Sequence, residues 1–233
     1  MASRPAKIPT NSTIVLPSLK RFAVDLIAAY PTEQWWPAET SFEVMVGAVL
    51  VQNTRWLNVE RALMRMRAAD CLSAEAVCSC SPDQLRNLIQ PAGCQSVKAR
   101  RLGNLAQWVV NFGGQQQIAK TQANELRARL LAINGIGPET ADAILNFAYG
   151  RPVFVADRYA QRLFGRLGYT NSCDKSGRYE TLRAMLEAVM NGDVQALQDL
   201  HAATILHCQQ LCMPVPQCSL CSFQQYCHFN RSG

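Results

Sequence analysis

Four thiols, one carboxylate and a pair of glycines carry most of the chemistry this 233-residue sequence can offer. The thiols are spaced Cys212-x5-Cys218-x2-Cys221-x5-Cys227 near the C-terminal end. Four thiolates on a short, loop-rich stretch suit a tetrahedral zinc site or a [4Fe–4S] cubane, and spacing alone does not choose. Cys208 is an alternative first ligand, set inside a predicted helix. The other five of the ten cysteines, Cys71, Cys78, Cys80, Cys94 and Cys173, are scattered and read as small buried hydrophobes. Clustered cysteines without a secretory signal point to metal in a reducing compartment rather than to disulfides.

The glycines lie in Leu131-Ala132-Ile133-Asn134-Gly135-Ile136-Gly137-Pro138-Glu139-Thr140. One helix stops at Asn134-Gly135 and another starts at Pro138, where a missing N–H costs nothing. Gly135 and Gly137 permit positive φ and close approach of another chain. The amides that open the second helix are free to meet phosphate. The carboxylate is Asp157, delivered by the apolar run Val153-Phe154-Val155-Ala156 to the start of a further helix. It can cap that helix, whose dipole favours the ionised form.

The elements that hold these groups are helical. Apolar residues at helical spacing predict helices over 18–30, 42–52, 57–68, 96–112, 121–131, 139–149, 157–167, 178–190 and 194–211, with a short one opened by Ser81-Pro82. Ser41 is the expected cap of the second, which is apolar on most sides and so central. Strand signals are confined to pieces such as Val153-Phe154-Val155. The fold class is all-α.

The runs LLAINGIGPETADAILNFAYG and VFVADRYAQRLFGRLG resemble the helix-hairpin-helix, Gly/Pro-rich, aspartate motif of the endonuclease III superfamily of DNA glycosylases. The resemblance extends from about Ser18 to Cys227. It implies two helical domains with a DNA-binding cleft between them: a six-helix domain over 37–150 with the helix-hairpin-helix, and a second domain from 1–36 and 151–233. It further implies that Gly135 and Gly137 grip phosphate, that Asp157 faces the cleft, and that Cys212, Cys218, Cys221 and Cys227 hold a [4Fe–4S] cluster. The family spacing is one residue longer in the first gap. The hairpin backbone is also a candidate seat for a monovalent cation.

Glu139 stands where bifunctional relatives carry a lysine that attacks the sugar. A carboxylate cannot form an imine, so the expected enzyme uses water and lacks lyase activity. Breaking an N-glycosidic bond builds positive charge on the sugar, which Asp157 would stabilise. Glu139 is a second pocket acid or a solvated first-turn residue. Trp35-Trp36-Pro37 and Val51-Gln52-Asn53-Thr54-Arg55-Trp56, with the hairpin, look closest to the branch that excises 3-methyladenine. Trp35, Trp36 and Trp56 could stack on a flipped, cationic alkylpurine, each ring contact contributing about 1–2 kcal/mol. The resemblance places Gln52 in the gap left by the flipped base, with Asn53 beside it on the DNA. It places Cys94 at the wedge turn. Lys98, Arg100 and Arg101 follow as phosphate contacts. Other family readings are a mismatch or oxidised-pyrimidine glycosylase. Outside enzymes, a non-catalytic DNA-binding module with zinc would show the same hairpin.

Composition bounds the rest. Lys+Arg number 23 against 17 Asp+Glu, a net charge of +6, and 48% of residues are hydrophobic. That is too apolar for a disordered chain. The charge permits a double-stranded DNA partner without demonstrating one. No apolar run is long enough to span a membrane, and the N-terminal segment, with no apolar signal core, is expected to be a disordered tail. The expected state is a cytoplasmic monomer, nucleoid-associated in a bacterium.

Overall fold

The computed structural model describes residues 16–33, 35–170 and 175–231. The expected N-terminal tail and Cys173 lie outside these residues. Among them no strand occurs, and the fold is all-α. The helices are α1 (Leu19–Ala28), α2 (Ser41–Leu50), α3 (Trp56–Ala68), α4 (Ala74–Ser79), α5 (Pro82–Leu88), α6 (Gln95–Asn111), α7 (Gln115–Lys120), α8 (Ala123–Leu131), α9 (Pro138–Ala143), α10 (Arg158–Leu167), α11 (Lys175–Val189), α12 (Val194–Gln210) and α13 (His228–Arg231). No helix among the described residues is long and apolar enough to cross a membrane.

Two hydrophobic cores organise these helices. The first gathers α2 to α9 around α2, which is buried from Phe42 to Leu50 as its all-round apolar sequence requires. Leu63, Met66, Leu102, Leu105, Leu130 and Ile144 close on it. The second joins α1 to α10, α11 and α12 through Phe22, Leu26, Phe164, Leu182 and Leu200. Between them runs the extended segment Val153–Ala156. Val153 and Val155 pack into the first core, Phe154 and Ala156 into the second. Side chains of an extended chain alternate sides, so one short segment stitches both cores together. Asp157 is the next residue.

Three local expectations change. The stretch expected to hold six helices, 37–150, holds eight α-helices. The additions, α4 and α7, have six residues each, too short to show apolar periodicity. Ser41 is not the cap of α2: Thr40 Oγ1 accepts the Glu43 N–H at 3.1 Å, and Ser41 Oγ instead donates to the Ala148 carbonyl at 3.0 Å. Finally, the helix expected over 139–149 loosens after α9 into a π-helical turn, Ile144–Ala148. Such turns insert an extra residue and often mark functional sites.

Candidate active site

The hairpin forms as its sequence dictates. Ile133 and Ile136 are buried, and the Ile136 N–H bonds the Ile133 carbonyl at 3.0 Å, which folds the turn on itself. Gly135 has φ +98°, and a Cβ there would lie 2.3 Å from Arg101 Cγ. Only glycine satisfies both conditions. Gly137 does not use the positive-φ freedom expected of it. It is extended, caps α9, and has open space where a Cβ would stand. Its value is clearance rather than backbone strain.

Arg101 connects the hairpin to the end of α2. Its guanidinium bonds Gln52 Oε1, and Gln52 Nε2 donates to Thr140 Oγ1 at 2.8 Å. Gln52, Thr140 and Gly135, distant in sequence, are thus brought together around Arg101. Asn53 follows, exposed, in the left-handed region at φ 54°. The turn Gly93-Cys94 is also left-handed and exposed, immediately before α6.

Lys98 departs from expectation. It is 3% exposed, and its Nζ donates to the carbonyls of Leu50 at 2.9 Å and Ala92 at 2.7 Å. Rather than reaching phosphate, the ammonium satisfies carbonyls at the end of α2 and before the Gly93 turn, where burial lowers its pKa. Arg100, exposed on the same helix, keeps access to solvent.

Asp157 is 4% exposed and caps α10, its Oδ1 accepting the Ala160 N–H at 2.8 Å. The expected ionising pull of the helix start is present but overcome. Burial lifts the carboxyl to about 6, against the opposing pull of the Ala160 and Tyr159 amides and of Arg158 and Arg162. Glu139, in the first turn of α9, remains solvent-accessible, yet crowding by surrounding protein and the Asp157 carboxylate raise its pKa. His201 and Arg158 pull the other way. Two carboxyls and one imidazole therefore share a single electrostatic environment.

An aromatic row runs through this region. Trp56 meets Trp36 edge-on at 5.2 Å, Trp36 meets Phe147 at 5.0 Å, and Phe147 meets His201 at 5.7 Å. Trp36 rests on Gly47, where an added Cβ would be 3.2 Å from the indole. Trp35 is half-buried, and no ring contact joins it to the row among the described residues. Phe147 sits in the π turn. His201 comes from α12, so the row is built from both sides of the stitching segment. The His201 Nδ1 lies 3.2 Å from the Val155 carbonyl, two residues before Asp157. Burial drops its pKa to about 4, so the ring is neutral at physiological pH and the Nδ1–H donates. Phe147 and His201 were not singled out by sequence. The usable signal was a pair of histidines, His201 and His207, on the buried, mostly apolar face of α12.

At the other flank of α10, Cys212, Cys218, Cys221 and Cys227 line one cavity with Leu163, Leu167 and Phe223, and Cys208 does not line it. Cys208 Sγ instead donates to the Tyr159 carbonyl at 3.4 Å. Among the described residues, no group of three or more His, Cys, Asp or Glu side chains is arranged to hold a single metal ion. Arg162 and Arg166, one turn apart on α10, grip this loop. Arg162 Nε donates to the Cys212 carbonyl at 2.9 Å, and Arg166 reaches Cys212 Sγ at 3.3 Å and the Met213 and Pro214 carbonyls at 2.6 and 2.8 Å. The helix that Asp157 starts is thereby fastened to the thiol loop.

A hairpin with this aspartate has known counterparts. Residues 46–206 match the model of the HhH-GPD superfamily, described as base excision DNA repair proteins. The chain belongs to the HhH-GPD superfamily. A candidate DNA repair glycosylase of Methanocaldococcus jannaschii is 40% identical over 205 residues, covering 87% of this chain and 92% of the relative. Endonuclease III of Thermotoga maritima is 23% identical over 216 residues, 91% of this chain and 93% of that one. Among solved structures, a non-covalent endonuclease III–DNA complex superposes with TM-score 0.78 at 18% identity, covering 92% and 95% of the two chains. The H. pylori 3-methyladenine DNA glycosylase bound to 1,N6-ethenoadenine superposes with TM-score 0.69 at 24% identity, covering 82% and 96%. The protein is thus a base excision repair DNA glycosylase of the HhH-GPD superfamily.

Proposed function

We propose that the protein is a monofunctional glycosylase that releases alkylated purines, such as 3-methyladenine, from double-stranded DNA with water as nucleophile. The observation that carries this reading is Asp157: a buried carboxylate, held by backbone amides and, among the described residues, by no ion pair, in a region that also holds Glu139 and the Trp36–Phe147–His201 row. A carboxylate of that kind stabilises positive charge on a sugar. The electron-rich faces of Trp36 and Trp56 favour a cationic, electron-poor base, and Trp35 is at hand in sequence to extend them. Glu139 at the hairpin supplies a second acid and no amine, which leaves water as the attacking group. Gly135, Gly137, Gln52 and Asn53 form the DNA-facing surface in this reading, and the two domains, 37–150 and 1–36 with 151–233, follow the two cores except at Trp36, Val153 and Val155, which pack on the first.

The thiol loop suits a [4Fe–4S] cluster on Cys212, Cys218, Cys221 and Cys227, because these four sulfurs and not Cys208 border a common cavity. The Arg166 guanidinium beside Cys212 Sγ offsets anionic sulfur. A bound cluster would cross-link the loop through these four cysteines, and Arg162 and Arg166 hold that loop to α10. Protein purified without oxygen is expected to contain about four irons per chain; stoichiometric zinc in a colourless protein would reject the cluster.

The deciding experiment incubates the purified protein with duplexes carrying methylated purines, oxidised pyrimidines or mismatches, with and without borohydride. Release confined to alkylpurines, with no trapped adduct, is the expected result. Release from mismatches or oxidised pyrimidines alone would replace the substrate reading, and a covalent band would overturn the monofunctional one.

A further inference from the structure

Two cysteines outside the thiol loop meet where the first core turns from α3 to α4. Cys71 closes the turn after α3, its N–H on the Met66 carbonyl at 2.8 Å. Cys80 caps the end of α4, its N–H on the Ala76 carbonyl at 3.1 Å. Their Sγ atoms are 2.8 Å apart. A disulfide bond is 2.03–2.05 Å long, so the sulfurs stand within about 0.8 Å of bonding distance. The two thiols also differ in access. Cys71 is 2% exposed, whereas Cys80 is half-buried and open to a small reagent. Burial, followed by the adjoining Cys80 thiol, pushes Cys71 up to about 12.

We propose that Cys71 and Cys80 are a redox-sensitive dithiol, closed to a disulfide by a low-molecular-weight disulfide such as oxidised glutathione. The Cys80 thiolate attacks one sulfur of the oxidant, forming a mixed disulfide and releasing one glutathione thiolate. Cys71, giving its proton to solvent, then attacks Cys80 Sγ. The Cys71–Cys80 bond forms and the second glutathione departs as a thiol. The protein loses two electrons and two protons, and the oxidant is reduced to two thiols. Because the Cys71 thiol is held protonated, the second step is the slow one. The bond would staple the turn after α3 to the end of α4. Helix α4 packs along α6, and α3 packs on the 3₁₀ turn Gln90–Ala92. Both supports of the exposed Gly93-Cys94 turn are thereby tied together, far in sequence from Asp157 and from the four-thiol loop. The inference does not depend on the substrate assigned to the enzyme.

The test equilibrates the folded, full-length protein in glutathione buffers from reducing to oxidising, blocks free thiols and cleaves after Glu75. That cut separates Cys71 from Cys78 and Cys80. The expected result is two fragments that stay joined until reduced, in the wild type and in Cys78→Ser, but not in Cys80→Ser. Closing this ten-residue loop should raise the melting temperature of the oxidised wild type by about 5–10 °C. Fragments that separate with Cys71 blocked, or a Cys78–Cys80 bond in place of the cross-link, would overturn the proposal.

Discussion

Asp142 and Asp157 are both buried, at 0% and 4% exposure, and their surroundings differ in kind. Asp142, in α9, is saturated. Arg127 Nε and Nη2 donate to it at 2.6 and 3.0 Å, the Tyr179 hydroxyl donates at 2.8 Å, and Arg183 stands 4.0 Å away. Arg127 also bonds Glu180, and Arg183 bonds Glu180 and Glu187. Glu187 in turn accepts the Phe154 N–H at 3.0 Å, which fixes the segment leading to Asp157. Asp157 itself receives helix amides and feels Arg158 and Arg162 only at a distance. One aspartate is spent on joining α8, α9 and α11. The other rests on helix amides and, among the described residues, has no ion pair, which under the proposed function leaves it to face a nascent cation on a sugar. Burial alone therefore does not mark a catalytic carboxylate; burial without an ion-pair partner is what makes Asp157 the candidate.

That contrast can be broken in order of expected effect. Asp157→Asn should lower base release by about 10²–10³-fold or more while DNA binding persists; retained turnover in a glycosylase assay would equate the two aspartates. Arg127→Met should do the reverse. Stranding the Asp142 charge should cost about 3–5 kcal/mol in denaturant unfolding, with per-molecule activity largely kept in the fraction that stays folded. An unchanged midpoint would show that the Asp142 network carries no structural weight. The smallest effect is a pH dependence. The folded Asp157 carboxyl lies near 6 against 3.8 for the free group, so its contribution is fully present below 3.8 and lost as pH rises through about 6. Asp157→Asn should therefore raise stability at neutral pH, by up to about 3 kcal/mol, and flatten the stability profile between these values. A variant less stable than wild type at neutral pH would count against an uncompensated charge.

The legible parts of the site were the local ones. Gly135-Ile136-Gly137-Pro138 announces a helix corner because each residue's constraint acts within a few bonds. The cysteine spacing announces four thiols gathered on one short loop, because few residues separate them in the chain. Lys98 shows where such reading stops. A cation in a polar, basic stretch looks solvent-facing, and only the folded chain brings the carbonyls of Leu50 and Ala92 to its ammonium. Phe147 was hidden because the π turn that places it depends on packing against α2 and α12. His201 was hidden because its partners, Val155 and Phe147, come from other segments. The Cys71–Cys80 approach was invisible for the same reason, although both residues were noted as scattered cysteines.

The sequence by itself determined the all-α class, the hairpin, the Asp157 cap and the grouping of four thiols, because periodicity, capping and chelate spacing are short-range properties of the chain. Only the tertiary structure decided which buried acid is paired and which is not, that Lys98 faces inward, and that rings from both cores form one row. Those outcomes depend on the distance between groups that the chain brings together only after both cores have formed around the Val153–Ala156 segment.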